Sequence, residues 1–115
     1  MNKAIVYGIP NCDSVKKARA WLDQHQQAYE FHDFKKQGVP EERLGQWVQT
    51  CGWEVVLNRK GTTWRKLDAA TQAAVTDAAS ACRLMLEQAS AIKRPVIEWP
   101  SGAITIGHAP ERWPA

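Results

Sequence analysis

Apolar and polar residues change their period several times along the chain, and each change marks an element. Ala4-Ile5-Val6-Tyr7, within Lys3–Gly8, is a short β-rich run that ends in the loop cluster Gly8-Ile9-Pro10-Asn11. Val15, Ala18, Trp21, Leu22 and His25 then recur at helical spacing. They predict a helix from an Asn11 cap to about Gln26, with Asp13 placing negative charge in its first turn. Tyr29–Phe34 alternates aromatic and polar residues as a second strand, with Tyr29, Phe31 and Asp33 on one face. A helical crossover of this length predicts that the two strands pair in parallel.

Lys35-Lys36-Gln37-Gly38 reads as a turn. Pro40 sits at a natural first helical position, Glu41 and Glu42 suit that end, and Leu44, Trp47, Val48 and Cys51 form the stripe up to Gly52. Trp53–Leu57 is an apolar run stopped by Arg59-Lys60-Gly61. Asp68 or Thr71 caps an alanine-rich helix that carries on through Cys82 to Leu86, with a break near Ser80. Val96–Trp99 and Ala103–Ile106, joined by Pro100-Ser101-Gly102, read as a hairpin, and the residues from His108 onward form at most one or two helical turns. The order β-α-β, helices, β-β-α predicts an α/β protein with a thioredoxin-like fold. Its sheet is expected to be mixed and four-stranded, with a helical insertion between the two halves. A chain of 115 residues is expected to form one domain, residues 1–115.

Charge and cysteine usage narrow the function classes. A net charge of +3 is too small to argue for a nucleic-acid partner, and it is compatible with anionic small molecules. The N-terminal apolar run lacks the length and cleavage site of a signal peptide, and nothing approaches the roughly 18 apolar residues of a membrane span. A cytoplasmic protein without a membrane partner is expected. Cys12, Cys51 and Cys82 are odd in number and far apart, unlike a secreted disulfide framework. His25, His32 and His108 are equally scattered, so no metal site is expected. The cysteines read as reduced thiols.

Cys12 has the position for chemistry. It follows a strand and a loop and stands where a helix begins, so unpartnered amide N–H groups and the helix dipole favour its thiolate. Lys16 and Lys17 add positive potential one turn on. Val15 stands three places later, so there is no Cys-x-x-Cys pair, and the second thiol must come from elsewhere. Glutathione, another protein, or Cys51 or Cys82 of the same chain are the candidate sources. Cys82, in a run of small residues, reads better as a packing residue. Arg59, in the loop after Leu57, and Arg94, directly before Pro95, each carry planar donors suited to an oxyanion or carboxylate, and each can lower a nearby thiol's pKa.

Gly8-Ile9-Pro10-Asn11-Cys12-Asp13, Leu57-Asn58-Arg59, the stretch Gly61–Leu67 and Lys93-Arg94-Pro95-Val96 together resemble the arsenate-reductase-like (ArsC) family over essentially the full chain. Gly61–Leu67 and Thr76–Ser80 look most like its YffB branch, which is related to the Spx regulators. The resemblance implies a thioredoxin fold with a helical insert, Cys12 as nucleophile, Arg59 and Arg94 near it, and a cis peptide at Arg94-Pro95. Asn11, Asp13, Ser14 and Pro95 complete the expected substrate-binding surface. Arsenate reductases of this type have a histidine where this chain has Gly8, and a third arginine after the final hairpin, where Thr105–Pro110 has none. The expected activity is that of a monothiol oxidoreductase, a glutathione-dependent thiol/disulfide reductase. One alternative is arsenate reduction coupled to glutathione and glutaredoxin. Another is an Spx-like redox-responsive regulator that binds RNA polymerase.

Overall fold

The structure is a computed structural model and describes residues 2–114. It divides into two compact units, one formed by residues up to Gly38 together with those from Arg94 onward, the other by Val39–Lys93. No helix among the described residues is long and apolar enough to cross a membrane.

In the first unit, β1 (Ala4–Gly8) leads into α1 (Asp13–Gln24) and returns as β2 (Tyr29–Asp33). Strands β3 (Val96–Glu98) and β4 (Ile104–Ile106) complete a sheet of order β2-β1-β3-β4. β1 and β2 pair in parallel, as the crossover predicts, while β1 with β3 and β3 with β4 are antiparallel. The sheet is therefore mixed and four-stranded, and the chain has the thioredoxin-like α/β arrangement expected from its pattern. Alternation sends Ala4, Val6 and Ile97 to one face, where they meet Ala18 and Leu22 of α1 together with Trp99 and Trp113. Trp21 closes this cluster edge-on against Trp113, with ring centroids 5.1 Å apart.

Three features of this unit differ from the pattern. α1 is capped by Cys12, not Asn11, because Cys12 has extended backbone and its carbonyl accepts from Lys16 at 2.9 Å. The helix stops at Gln24 because Gln26 adopts a left-handed φ of 55° and the Gln27 amide turns back to the Leu22 carbonyl. Lys35–Gly38, expected as a turn, closes as one helical turn, α2 (Phe34–Gln37), since the buried Asp33 side chain accepts from the Lys35 amide at 2.8 Å.

The second unit is helical. α3 (Glu41–Cys51) packs against α4 (Trp53–Val56) and α7 (Ala78–Glu87). α3 buries Leu44, Trp47 and Val48, and α7 buries Ala81, Leu84 and Met85. Between α4 and α7 lie α5 (Thr62–Arg65) and α6 (Ala69–Ala73), each about one turn long. Asp68 caps α6 as expected, but the break falls at residues 74–77, with Asp77 starting α7. Ser80 marks no break. It is the reciprocal partner in the capping box, its amide donating to Asp77 Oδ1 at 2.9 Å while its Oγ accepts from the Asp77 amide. After α7 a 3₁₀ turn (Ala89–Ala91) leads to Ile92, which bridges to Leu57.

Candidate active site

β1 and β3 run antiparallel with Tyr7 opposite Val96, so the next residues outward on the two strands are Gly8 and Pro95. That register brings the loop before Cys12 alongside Arg94 and Pro95, residues more than 80 positions apart. The Arg94-Pro95 peptide is cis, as the family resemblance implies. Pro95 is buried, and its carbonyl accepts from the Gly107 amide at 2.8 Å. Gly107 adopts a φ of 86°, a left-handed conformation that favours glycine and lets the strand after the hairpin bend back to this carbonyl.

Cys12 is half-buried at the N-cap of α1. The neutral thiol makes no side-chain capping bond of ordinary geometry. Its anion is nonetheless favoured. Burial pushes the thiol pKa up, but the Val15 amide, a hydrogen bond from Arg94, the charge of Arg94 and the Ser14 amide outweigh it, and the net shift is downward. Ser14 and Val15 are the second and third residues of the helix, whose N–H groups have no partner within it. The cation acting on the sulfur is therefore Arg94, while Lys16 and Lys17 stand exposed on the helix surface.

The other expected site residues fall into two groups. Asn11 and Asp13 are exposed on either side of Cys12, and Ser14 is half-buried with its amide turned to the sulfur. Arg59 belongs to the helical unit, where its guanidinium lies 5.5 Å from the Trp53 ring centroid. With Lys60, Lys93, Asn58 and Glu54 it lines a pocket of about 310 Å³. The Asn58 side chain orders this loop by accepting from the Lys60 amide at 3.1 Å.

Cys51 and Cys82 are thiols of a different character. Cys51 is the last residue of α3, and burial raises its pKa. Cys82 lies within α7, where burial and then the charge of Glu41 raise it. Sequence reasoning placed Val15 on the apolar stripe of α1 and at the position of a missing second cysteine, and Gly8 in the loop cluster after β1 and at a departure from a motif. The first supplies an amide to the sulfur, and a signal for this existed in its position as third helical residue. The second is packed against Val15, which no sequence pattern signals.

A thioredoxin-like fold carrying one acidified thiol beside an arginine and a cis-proline defines the class. Residues 7–115 match the ArsC family, and the chain belongs to it. A solved YFFB protein is 51% identical to this chain, covering 94% of it and 93% of that chain, with a TM-score of 0.88. An arsenate reductase (ArsC) related protein from Brucella melitensis is 46% identical, covering 96% and 90%, with a TM-score of 0.75. The global transcriptional regulator Spx of Streptococcus agalactiae serotype V is 31% identical over 90 residues, which are 76% of this chain and 64% of that protein. The likeness to Spx is thus partial, and the fold is that of an ArsC-type redox protein.

Proposed function

We propose that the chain is a single-thiol reductase of the arsenate-reductase type, with Cys12 as nucleophile and arsenate as substrate. The observation that carries this reading is the downward-shifted pKa of Cys12 beside Arg94, an arrangement suited both to a thiolate and to an oxyanion. The substrate class is supported by the relative named for arsenate reductase. In the reaction the Cys12 thiolate attacks arsenic and an oxygen leaves as water, forming a sulfur–arsenic bond. Glutathione then attacks the Cys12 sulfur. A mixed disulfide forms, the sulfur–arsenic bond breaks with its electron pair on arsenic, and arsenite departs. Two thiols are oxidised to one disulfide as arsenic gains two electrons. Glutaredoxin, with further glutathione, returns Cys12 to the thiol.

A second reading keeps the thiol and exchanges the electrophile, so that Cys12 reduces a disulfide and glutathione resolves the product. It is favoured by Gly8, which stands at the histidine position of arsenate reductases, and by the absence of arginine in Thr105–Pro110. Arsenate-dependent oxidation of a reduced nicotinamide cofactor, coupled through glutathione and glutaredoxin, separates the two readings. Turnover that vanishes in Cys12→Ser supports the first. Glutathione-dependent cleavage of a small mixed disulfide, without response to arsenate, supports the second. A Cys12→Ser variant that retains both activities sinks both.

A further inference from the structure

Gly8, the last residue of β1, meets the first turn of α1 at a distance that admits no side chain. A Cβ placed there would lie 2.7 Å from Val15 Cγ2 and 3.8 Å from Val15 Cβ, the first being well inside van der Waals contact. The need for glycine here arises from this contact and not from backbone shape, since Gly8 pairs as an ordinary strand residue opposite Asp33. Neither partner has room to withdraw, because Gly8 is buried and Val15 is 0% exposed. Nor does Val15 turn its methyl aside at small cost, since a helical valine is held strongly to one χ1 rotamer. The part that must yield to a side chain at position 8 is therefore the backbone of the first helical turn.

That backbone carries the donor nearest in importance to the sulfur. Val15 is the third residue after the Cys12 cap, and its amide, which has no partner within the helix, is the leading influence that lowers the Cys12 pKa. We propose that Gly8 is a positioning residue for the Cys12 thiol: its missing side chain seats β1 on the Val15 methyl and so fixes the Val15 amide within reach of the sulfur. Arg94 is the charged group that acts on the thiol, while Asp13, Lys16 and Lys17 are exposed on the first turns of α1, and the three atoms nearest a Cβ at Gly8 all belong to Val15. The inference rests on the reading of Cys12 as nucleophile.

The test is the pH profile of Cys12 alkylation by iodoacetamide, followed peptide by peptide, in the full wild-type chain, Gly8→Ala and Gly8→Ala/Val15→Ala. Losing one amide donor lowers the thiolate population at neutral pH by roughly tenfold, partly offset by the greater nucleophilicity of a less acidic thiol. Gly8→Ala is expected to be alkylated about threefold more slowly at neutral pH, with its midpoint moved upward. The double variant removes the obstructing methyl and is expected to return to the wild-type midpoint. An unchanged midpoint in Gly8→Ala overturns the proposal, as does a double variant that stays shifted. Should Gly8→Ala not fold, the double variant decides: folded with the wild-type midpoint it supports the seat, and unfolded or shifted it overturns it. A wild-type midpoint no lower than those of Cys51 and Cys82 instead sinks the Cys12 reading, and the positioning role with it.

Discussion

Cys12 in the sheet unit and Cys51 and Cys82 in the helical unit are the same side chain at similar depth, each half-buried and each pushed toward the neutral thiol by burial. Only Cys12 ends below its ordinary pKa. Cys51 closes a helix, where the backbone offers carbonyls and a negative dipole end, and Cys82 lies inside a helix whose amides are already used, with the Glu41 charge acting on it. Cys12 opens a helix, receives two amides and has Arg94 beside it. Depth therefore does not separate the thiol whose pKa falls from the two whose pKa rises in this chain; the two amides and Arg94 at Cys12 do.

The largest effect expected from this contrast is the loss of reductase activity in Cys12→Ser, by roughly 10³-fold or more, as for removal of a covalent nucleophile. Cys51→Ser and Cys82→Ser, assayed alongside, are expected to stay within about twofold of wild type, since surface and half-buried substitutions away from a site change little. Activity lost in either of these would place a resolving thiol in the helical unit and break the comparison.

Arg94→Gln should have the next largest effect. It removes a charge-assisted hydrogen bond and the cation itself, while the two amides stay in place. A loss of about tenfold in Cys12 alkylation at neutral pH is expected, kept modest by the solvent that reaches a half-buried pair. An alkylation profile that superimposes on wild type would assign the whole shift to the helix start.

These contrasts were legible in the sequence to different degrees. The short apolar β-rich run Ala4–Tyr7, bounded by the Gly8–Asn11 loop cluster, located β1, and the stripe Val15–Trp21–Leu22 located α1, because that stripe extends over enough residues for a helical period to show. α4, α5 and α6 are four or five residues long, too short for a helical period, and α5 had no signal at all. The thiol at the strand–helix turn was readable from local order alone. Its pairing with Arg94 was not, because it depends on the β1–β3 register and on the bend at Gly107, both set by tertiary packing. The helix break was misplaced by three residues for a related reason. Ser80 and Asp77 are both good capping residues, and only the reciprocal bond between them tells which one is the cap.

Stability should respond to pH with opposite signs for the two kinds of cysteine. Cys12 has a folded pKa below its unfolded one, so its contribution is present above the ordinary thiol range and is lost as pH falls through the lowered value. Cys51 and Cys82 have folded values above their unfolded ones, so theirs is present below the ordinary range and is lost as pH rises through the raised values. Urea unfolding across the thiol range should show the advantage of wild type over Cys12→Ser growing with pH, and that over Cys51→Ser or Cys82→Ser shrinking. Slopes of one sign for all three variants would mean that burial alone governs these thiols.

The smallest effect tests whether Cys82 is quiet because its helix is intact. Asp77 caps α7 through the Ser80 amide, and Cys82 sits five residues beyond that cap. Asp77→Ala removes the acceptor and leaves the first-turn amides to water, which should fray the Ala78–Ala81 end of the helix and lower Tm by roughly 3 °C. Fraying raises the exposure of Cys82 without giving it a donor. Its alkylation should therefore rise a few-fold at alkaline pH and hardly at all at neutral pH, where so little thiolate is present. Cys12, whose donors lie in α1 and at Arg94, should keep its wild-type profile. If Cys82 instead became as reactive as Cys12 at neutral pH, exposure would be enough to activate a thiol here, and the distinction between the two regions would rest on access instead of on amides and charge.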